Sequence, residues 1–174
     1  MSNPLQDFFS KIPLFASLTA EELGEFLRAV QPLALTQGEL LFKAGEPGDA
    51  AYVIQEGEVE VTSRGGRPIA TLGPGQVIGE LSLLDGAPRS ATIRASTPTQ
   101  LFRIDKQEFD YQRRNLRTPA YKIMRTMAMT LSGRIRETNA QIGELLAPAP
   151  HTPPADAAKD GGGFFKKVFG WIGG

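Results

Sequence analysis

Residues 79–92 read GELSLLDGAPRSAT and bring together side chains that could bind an anion. Arg89 can donate two parallel hydrogen bonds to an oxyanion, and the Ser90 hydroxyl can donate a third. Gly79 has no Cβ, so a ligand can approach the main chain there, and a helical turn after it would present unpaired N–H groups. Glu80 repels an anion but accepts hydrogen bonds from sugar hydroxyls. The combination fits a ribose phosphate that carries one negative charge.

The alternative for Glu80 and Arg89 is a surface ion pair, which would contribute about 0–1 kcal/mol and bind nothing. The whole stretch, however, resembles the phosphate-binding cassette of the cyclic nucleotide-binding domain family, in particular its catabolite-activator-like sensor domains. Ser82 completes the ligand-binding residues predicted within the cassette. The positions that match the family are Gly79, Glu80, Leu81, Arg89, Ser90 and Ala91.

The resemblance extends over about residues 14–146 and includes the segment GEPGDAAYVIQEGEVEV, which is similar to the strand–turn–strand that precedes the cassette in the family. It implies a receptor for a cyclic nucleotide, with cAMP as the favoured ligand. A cGMP or cyclic-dinucleotide receptor is one alternative. A scaffold or targeting module with a degenerate pocket is another.

Composition sets wider limits on the chain of 174 residues, a length that favours one domain with appendages. The 19 basic and 19 acidic residues cancel, so no overall field attracts nucleic acid or anionic lipid. The absence of cysteine excludes disulfides and thiolate metal sites. We find no hydrophobic signal and no apolar run of membrane-spanning length, so we expect a soluble cytoplasmic protein. We identify no catalytic residues, metal ligands or cofactor, and predict a receptor rather than an enzyme.

The fold class that the patterns predict is α+β, mainly β. Apolar residues between positions 5 and 15 should dock on the core, and Thr19 with Glu22 forms a capping box for a helix over residues 20–29. Short apolar runs separated by turn residues then predict a jelly-roll barrel, which is also the fold that the resemblance implies. The predicted strands are Val30–Leu35, Leu40–Phe42, Ala51–Ile54, Val59–Val61, Ile69–Leu72, Ala91–Ala95 and Gln100–Ile104.

Two helices are predicted after the barrel. Asp105 should cap one that extends to about Arg114, and Thr118, with Pro119 at the first helical position, should cap a long one that extends to residue 146. The long helix carries an apolar repeat with alternating spacings of four and three residues, which favours a parallel two-chain seam and hence a homodimer. The alternative is a helix lying across its own barrel. The repeat consists of Met124, Ala128, Leu131, Ile135, Thr138, Ile142 and Leu145.

The resemblance also implies that this helix covers the nucleotide base. In the family's dimeric regulators a Thr-Ser pair contacts adenine, and Thr138 and Asn139 occupy those places here. Asn in place of Ser is a departure from the family's pattern, and Thr138 could instead set the register of the seam.

The last part of the chain has a different composition. Residues 147–163 read APAPHTPPADAAKDGGG and predict a disordered linker. Residues 164–174 would place six apolar side chains within about 160° of a helix, which suits docking on a membrane surface or in a protein groove. The alternative is that they fold back on their own domain. The family's regulators carry a helix-turn-helix at this point, so we expect docking rather than DNA binding as the output. The predicted docking peptide comprises Phe164, Phe165, Lys166, Lys167, Val168, Phe169, Trp171 and Ile172.

Overall fold

The computed structural model describes residues 3–146, which form five helices and eight strands. Contacts divide the chain after Gly133, so the end of the last helix is described separately from residues 3–133. The predicted linker, 147–163, and the predicted docking peptide, 164–174, lie outside the described residues.

Two helices precede the barrel. Helix α1 (Pro4–Ser10) is capped by the Asn3 side chain, and helix α2 (Ala20–Leu27) begins with the predicted capping box of Thr19 and Glu22. The Thr19 hydroxyl accepts from the Glu22 N–H at 3.2 Å, and the Glu22 carboxylate accepts from the Thr19 N–H at 2.7 Å. The capping-box prediction is therefore confirmed.

Eight antiparallel strands form two four-stranded sheets, as the predicted jelly roll requires. One sheet has the order β1-β8-β3-β6, and the other has the order β2-β7-β4-β5. Each predicted strand is present within one or two residues of its predicted bounds, and the two-residue strand β6 was not expected. The strands are β1 (Gln31–Leu35), β2 (Leu40–Phe42), β3 (Ala50–Glu56), β4 (Val59–Thr62), β5 (Pro68–Leu72), β6 (Val77–Ile78), β7 (Thr92–Ala95) and β8 (Thr99–Asp105).

Strand β3 separates two apolar clusters because its side chains alternate between the two faces of the sheet. Ala50, Tyr52 and Ile54 lie in a cluster inside the barrel, whereas Ala51 and Val53 lie in a cluster with the helices. The helical cluster includes Phe9, Ile12 and Phe15, so the N-terminal apolar residues dock on the core as predicted.

Three helices complete the fold: α3 (Leu81–Asp85), α4 (Lys106–Arg114) and α5 (Thr118–Leu146). The Asp105 carboxylate caps α4 as predicted, accepting from the N–H groups of Gln107 and Glu108. The prediction that Thr118 precedes α5 is wrong by one residue. The carbonyl of Arg117 accepts from the Tyr121 N–H at 3.3 Å, so the helical bonding pattern already includes Thr118. Within residues 3–146, none of the helices combines the length and apolarity needed to cross a bilayer.

Candidate functional site

The predicted cassette connects β6 to β7 at one end of the barrel. Gly79 follows β6 with a φ of +71°, a conformation that favours glycine. Helix α3 then begins, and Gly86, with a φ of +66°, ends it in the left-handed region. The chain continues through Arg89 into β7. The Arg89 guanidinium packs against Gly79, so the two ends of the cassette lie close together.

Arg89 lies at the centre of this arrangement and is only 3% exposed. Its Nη1 donates to the Ala50 carbonyl at 2.7 Å and to the Ser82 hydroxyl at 3.2 Å, and its Nη2 donates to the Asp49 carboxylate at 3.1 Å. The guanidinium lies 4.2 Å from the centre of the Phe42 ring, a cation–π distance. Its Nε is buried with no hydrogen-bond partner among the described residues. The site therefore holds a fixed cation whose Nε–H has no acceptor among the described residues.

Two glycines allow the chain to pack directly against this cation. A Cβ on Gly79 would lie 2.4 Å from Nη1 of Arg89, and a Cβ on Gly48 would lie 2.1 Å from the Ser82 hydroxyl. Both distances are too short for any side chain. Gly79 and Gly48 are thus required by close packing around Arg89 and its partner Ser82.

Backbone hydrogen bonds fasten the cassette to the turn between β2 and β3. The Gly45 N–H donates to the Arg89 carbonyl at 2.8 Å, and the Arg89 N–H donates to the Glu46 carbonyl at 2.8 Å. Nearby, the Thr92 hydroxyl accepts from the Ala44 N–H at 3.0 Å. These bonds fix the backbone from which the Arg89 side chain extends.

The Asp49 carboxylate contacts a second arginine as well. Its Oδ2 accepts from Nη2 of Arg103 at 3.1 Å, and Nη1 of Arg103 donates to the Asp105 carboxylate at 2.7 Å. Burial raises the pKa of Asp105, but the hydrogen bonds from Arg103 and the α4 amides outweigh it and hold that pKa below its usual value. Asp105 is therefore ionised at neutral pH, when it caps α4.

Comparison with known proteins identifies the family. The model of the cyclic nucleotide-binding domain matches residues 32–114. This range includes the whole cassette and every barrel strand, except for the first residue of β1. The N-terminal domain of a transcriptional regulator from Streptomyces coelicolor is 35% identical, with a TM-score of 0.64, over 78% of this chain and 94% of that one. The chain belongs to the cyclic nucleotide-binding domain family.

Other members of the family are longer than the region they share with this chain. The catabolite activator protein of Thermus thermophilus is 34% identical, with a TM-score of 0.66, over 76% of this chain and 62% of that one. A cAMP-dependent protein kinase regulatory subunit from Emericella nidulans is 34% identical over 68% of this chain, but over only 28% of its own length. The similarity thus covers a cyclic nucleotide-binding domain within proteins that contain further regions.

Within this cyclic nucleotide-binding domain, the predicted cassette residues occupy different depths. Leu81 and Ser90 are exposed, whereas Glu80 and Ala91 are half-buried. Ser82 is buried, and its hydroxyl faces Arg89 from within the domain.

The two predicted base contacts lie in the separately described end of α5. Thr138 and Asn139 are both exposed there. The Thr138 hydroxyl donates to the Arg134 carbonyl of its own helix at 2.9 Å. A contact between either residue and the base stays a prediction.

Sequence reasoning missed the surroundings of the cassette arginine. Asp49 stands in a turn, GEPGD, where aspartate is an ordinary turn residue, and Phe42 and Tyr52 are ordinary strand residues. All three come from other strands or turns, far from Arg89 along the chain. The sequence alone carries no signal that pairs them with it.

Proposed function

We propose that this chain is a cyclic-nucleotide receptor with cAMP as its favoured ligand. The observation that carries the proposal is the buried Arg89 with its unpartnered Nε, set in a cassette of the family's pattern. An unsatisfied buried N–H costs about 1–3 kcal/mol, and an anionic oxygen would remove that cost through a charge-assisted hydrogen bond. A cyclic phosphate supplies such an oxygen.

The proposed roles follow the chemistry of each side chain. Arg89 holds the cyclic phosphate, the Ser90 hydroxyl donates to it, and the Glu80 carboxylate accepts from a ribose hydroxyl. Ser82 acts through Arg89, since its hydroxyl accepts from Nη1 at 3.2 Å. Leu81 and Ala91 complete the cassette, and Gly79 lets main chain and guanidinium come close together.

The choice of cAMP rests on relatives. The Emericella protein is a regulatory subunit of a cAMP-dependent kinase, and a cyclic AMP receptor protein of Thermus thermophilus is 34% identical over 76% of this chain. A cGMP receptor is the alternative, because Thr138 and Asn139 are the base contacts that would distinguish the two purines.

The decisive experiment is titration calorimetry with cAMP, cGMP and 5′-AMP on the parent chain and on Arg89→Ala. Loss of the charge-assisted bonds should weaken cAMP binding by about 10- to 150-fold. Arg89→Lys should recover only part of this, because an ammonium cannot donate in a fork. Arg94→Ala is the matched control, since Arg94 is an exposed arginine on β7 whose side chain donates to the Gly38 carbonyl.

The outcomes separate the candidate functions. Parent-like cAMP affinity in Arg89→Ala contradicts the assigned pocket. A parent that binds none of the nucleotides favours the scaffold with a degenerate pocket. Binding of cGMP in preference to cAMP transfers the proposal to the other purine.

The proposed receptor is a homodimer that forms through α5. Support comes from exposed apolar side chains along the predicted seam: Ile135 is 60% exposed and Ile142 is 47% exposed in the single chain. A second copy of the same helix would cover both, as in a parallel coiled coil. The side chain of Leu145, the last member of the seam, lies outside those described.

The proposed output is the docking of residues 164–174 on a protein or a membrane. In this proposal the protein is a receptor and does not catalyse a reaction. Support comes from composition, since six aromatic and aliphatic residues flank the adjacent pair Lys166 and Lys167. Each lysine adds only about 1 kcal/mol on anionic lipid, so a protein groove is favoured over a membrane. In this proposal the protein is located in the cytoplasm and is recruited from there to a membrane or a protein assembly.

A further inference from the structure

Strand β5 forms an open edge of the second sheet. It is the last strand in the order β2-β7-β4-β5, and among the described residues it pairs with β4 alone. Four of its five residues are exposed, including Ile69 at 62%. Because the backbone groups of successive residues in a strand point in opposite directions, every second residue of β5 turns its N–H and C=O away from β4. We call this side of Pro68–Leu72 the β5 edge.

The other edges of the two described sheets are protected, whereas the β5 edge is not. Strands β2 and β6 have only three and two residues, and β1 has Pro32 at its second position. Short strands and prolines are common means of preventing another strand from pairing. In β5 the proline is the first residue, and the pairing with β4 is regular from Ala70 to Leu72. The strand reads PIATL, so no charged side chain interrupts it.

The turn that leads into β5 carries two positive charges. Arg64 and Arg67 lie in this turn, residues 63–67, and both are exposed. Neither forms an ion pair within residues 3–146. On β4, by contrast, the carboxylate of Glu60 stands opposite Thr71 in the middle of the β5 pairing. A strand added at the β5 edge therefore meets positive charge at one end and negative charge further along.

From these observations we propose that the β5 edge is a docking site for an extended segment of a partner protein, with acidic residues at the end of that segment next to Arg64 and Arg67. Hydrogen bonds between the two backbones hold the segment, as in other cases of strand addition. The two arginines select its acidic end, and Glu60 disfavours acidic residues along the rest of it. This docking goes beyond nucleotide binding and does not depend on it.

The probe for this site is the peptide TVTVTEE with blocked ends, which places its glutamates beside Arg67 when it pairs antiparallel to β5. The peptide EETVTVT does the same when it pairs in the parallel direction. Fluorescence anisotropy of each labelled peptide with the full chain measures binding, and NMR measures hydrogen exchange of the β5 amides. Exchange should slow at every second amide of Ile69–Leu72, because only those amides face away from β4.

Two control peptides and two variants separate backbone pairing from charge. TVTVTEE that is N-methylated at its threonines and valines cannot donate to the β5 edge, so it should not bind where the parent peptide does. TVTVTKK should bind about 10-fold more weakly. Arg64→Gln combined with Arg67→Gln should weaken TVTVTEE binding by about 3- to 10-fold, as expected for two exposed ion pairs. The matched control is Arg28→Gln combined with Arg114→Gln, two exposed arginines outside the barrel, which should keep the parent's affinity.

Several results would overturn the proposal. Equal binding of the N-methylated peptide, or slowed exchange only outside β5, contradicts strand pairing. Equal binding of TVTVTEE and TVTVTKK contradicts an acidic partner, and so does the absence of binding by both acidic peptides at millimolar concentration. Slowed exchange of the β5 amides on raising the protein concentration without peptide would assign the edge to a second copy of this chain. Each of these results leaves the cAMP titration, and with it the proposed function, unaffected.

Discussion

Replacing Gly79 with alanine tests the packing of the cassette most directly. The new Cβ would lie 2.4 Å from Nη1 of Arg89 and 3.4 Å from the Ala50 carbonyl oxygen. An arginine tip can usually move aside. This one is bonded to Ala50 and Ser82 through the same nitrogen, and it is buried.

The magnitude has two parts. A φ of +71° costs a residue with a side chain about 1–2 kcal/mol. Displacing Nη1 breaks at least one hydrogen bond from a charged group, which adds about 1.5–3 kcal/mol. Together the free energy of unfolding should fall by about 2.5–5 kcal/mol, which corresponds to a Tm about 5–20 °C lower for a chain of this length.

Thermal melts followed by circular dichroism, with urea titrations to obtain the free energy, measure this change. Gly66→Ala is the control, because Gly66 has a φ of +78° and nothing within 4 Å of its Cβ position. Only the backbone cost applies to it, so its Tm should fall by about 2–8 °C. Equal losses in the two variants would refute the close contact between Gly79 and Arg89.

Three further predictions concern other parts of the chain. Ile135→Asp should convert the proposed dimer into a folded monomer in sedimentation experiments, because it places an unpaired charge in the seam; a parent that is itself monomeric at tens of micromolar would contradict the seam. Phe165→Ala combined with Trp171→Ala should abolish recruitment in cells yet leave cAMP affinity unchanged, and unchanged localisation would contradict a docking role. Acid should destabilise the fold below about pH 4. Hydrogen bonds from Lys122 and the capping box lower the pKa of Glu22 in the folded protein. The stability that the Glu22 charge provides is therefore lost as the pH falls through that lowered pKa. Lys122→Met should flatten this part of a Tm-against-pH curve, and an unchanged curve would show that the ion pair does not contribute.

Local patterns predicted most of the fold. The Thr19 capping box and the Asp105 cap depend on residues two or three positions apart, so their geometry is contained in a short stretch of sequence. Strand β2 has the predicted bounds, Leu40–Phe42, because turn residues stand on both sides. Strand β6 has only two residues between a Gly-containing turn and the cassette, too few to show an alternation.

The environment of Arg89 depends on contacts between distant parts of the chain. Its acceptors on Asp49 and Ala50 are 40 and 39 positions away, and they reach it only because β3 and the cassette meet in the folded barrel. The sequence motif identified Arg89. It did not predict that both terminal nitrogens of Arg89 already donate hydrogen bonds to other residues of the domain. The orientation of Ser82 was equally unpredictable, since a serine in a short helix can face either way.

Strand β3 has a consequence for how this domain can be recombined during evolution. Ala50 and Ala51 are adjacent, fully buried and on opposite faces of the sheet. The same strand therefore contributes side chains to both apolar clusters. A different helical layer could be accepted only with matching changes at Ala51 and Val53, and Tyr52, the residue between them, lies in the barrel cluster. Exchange of parts between relatives should therefore succeed at the turns around the domain and fail between its helices and its barrel, which are inherited together.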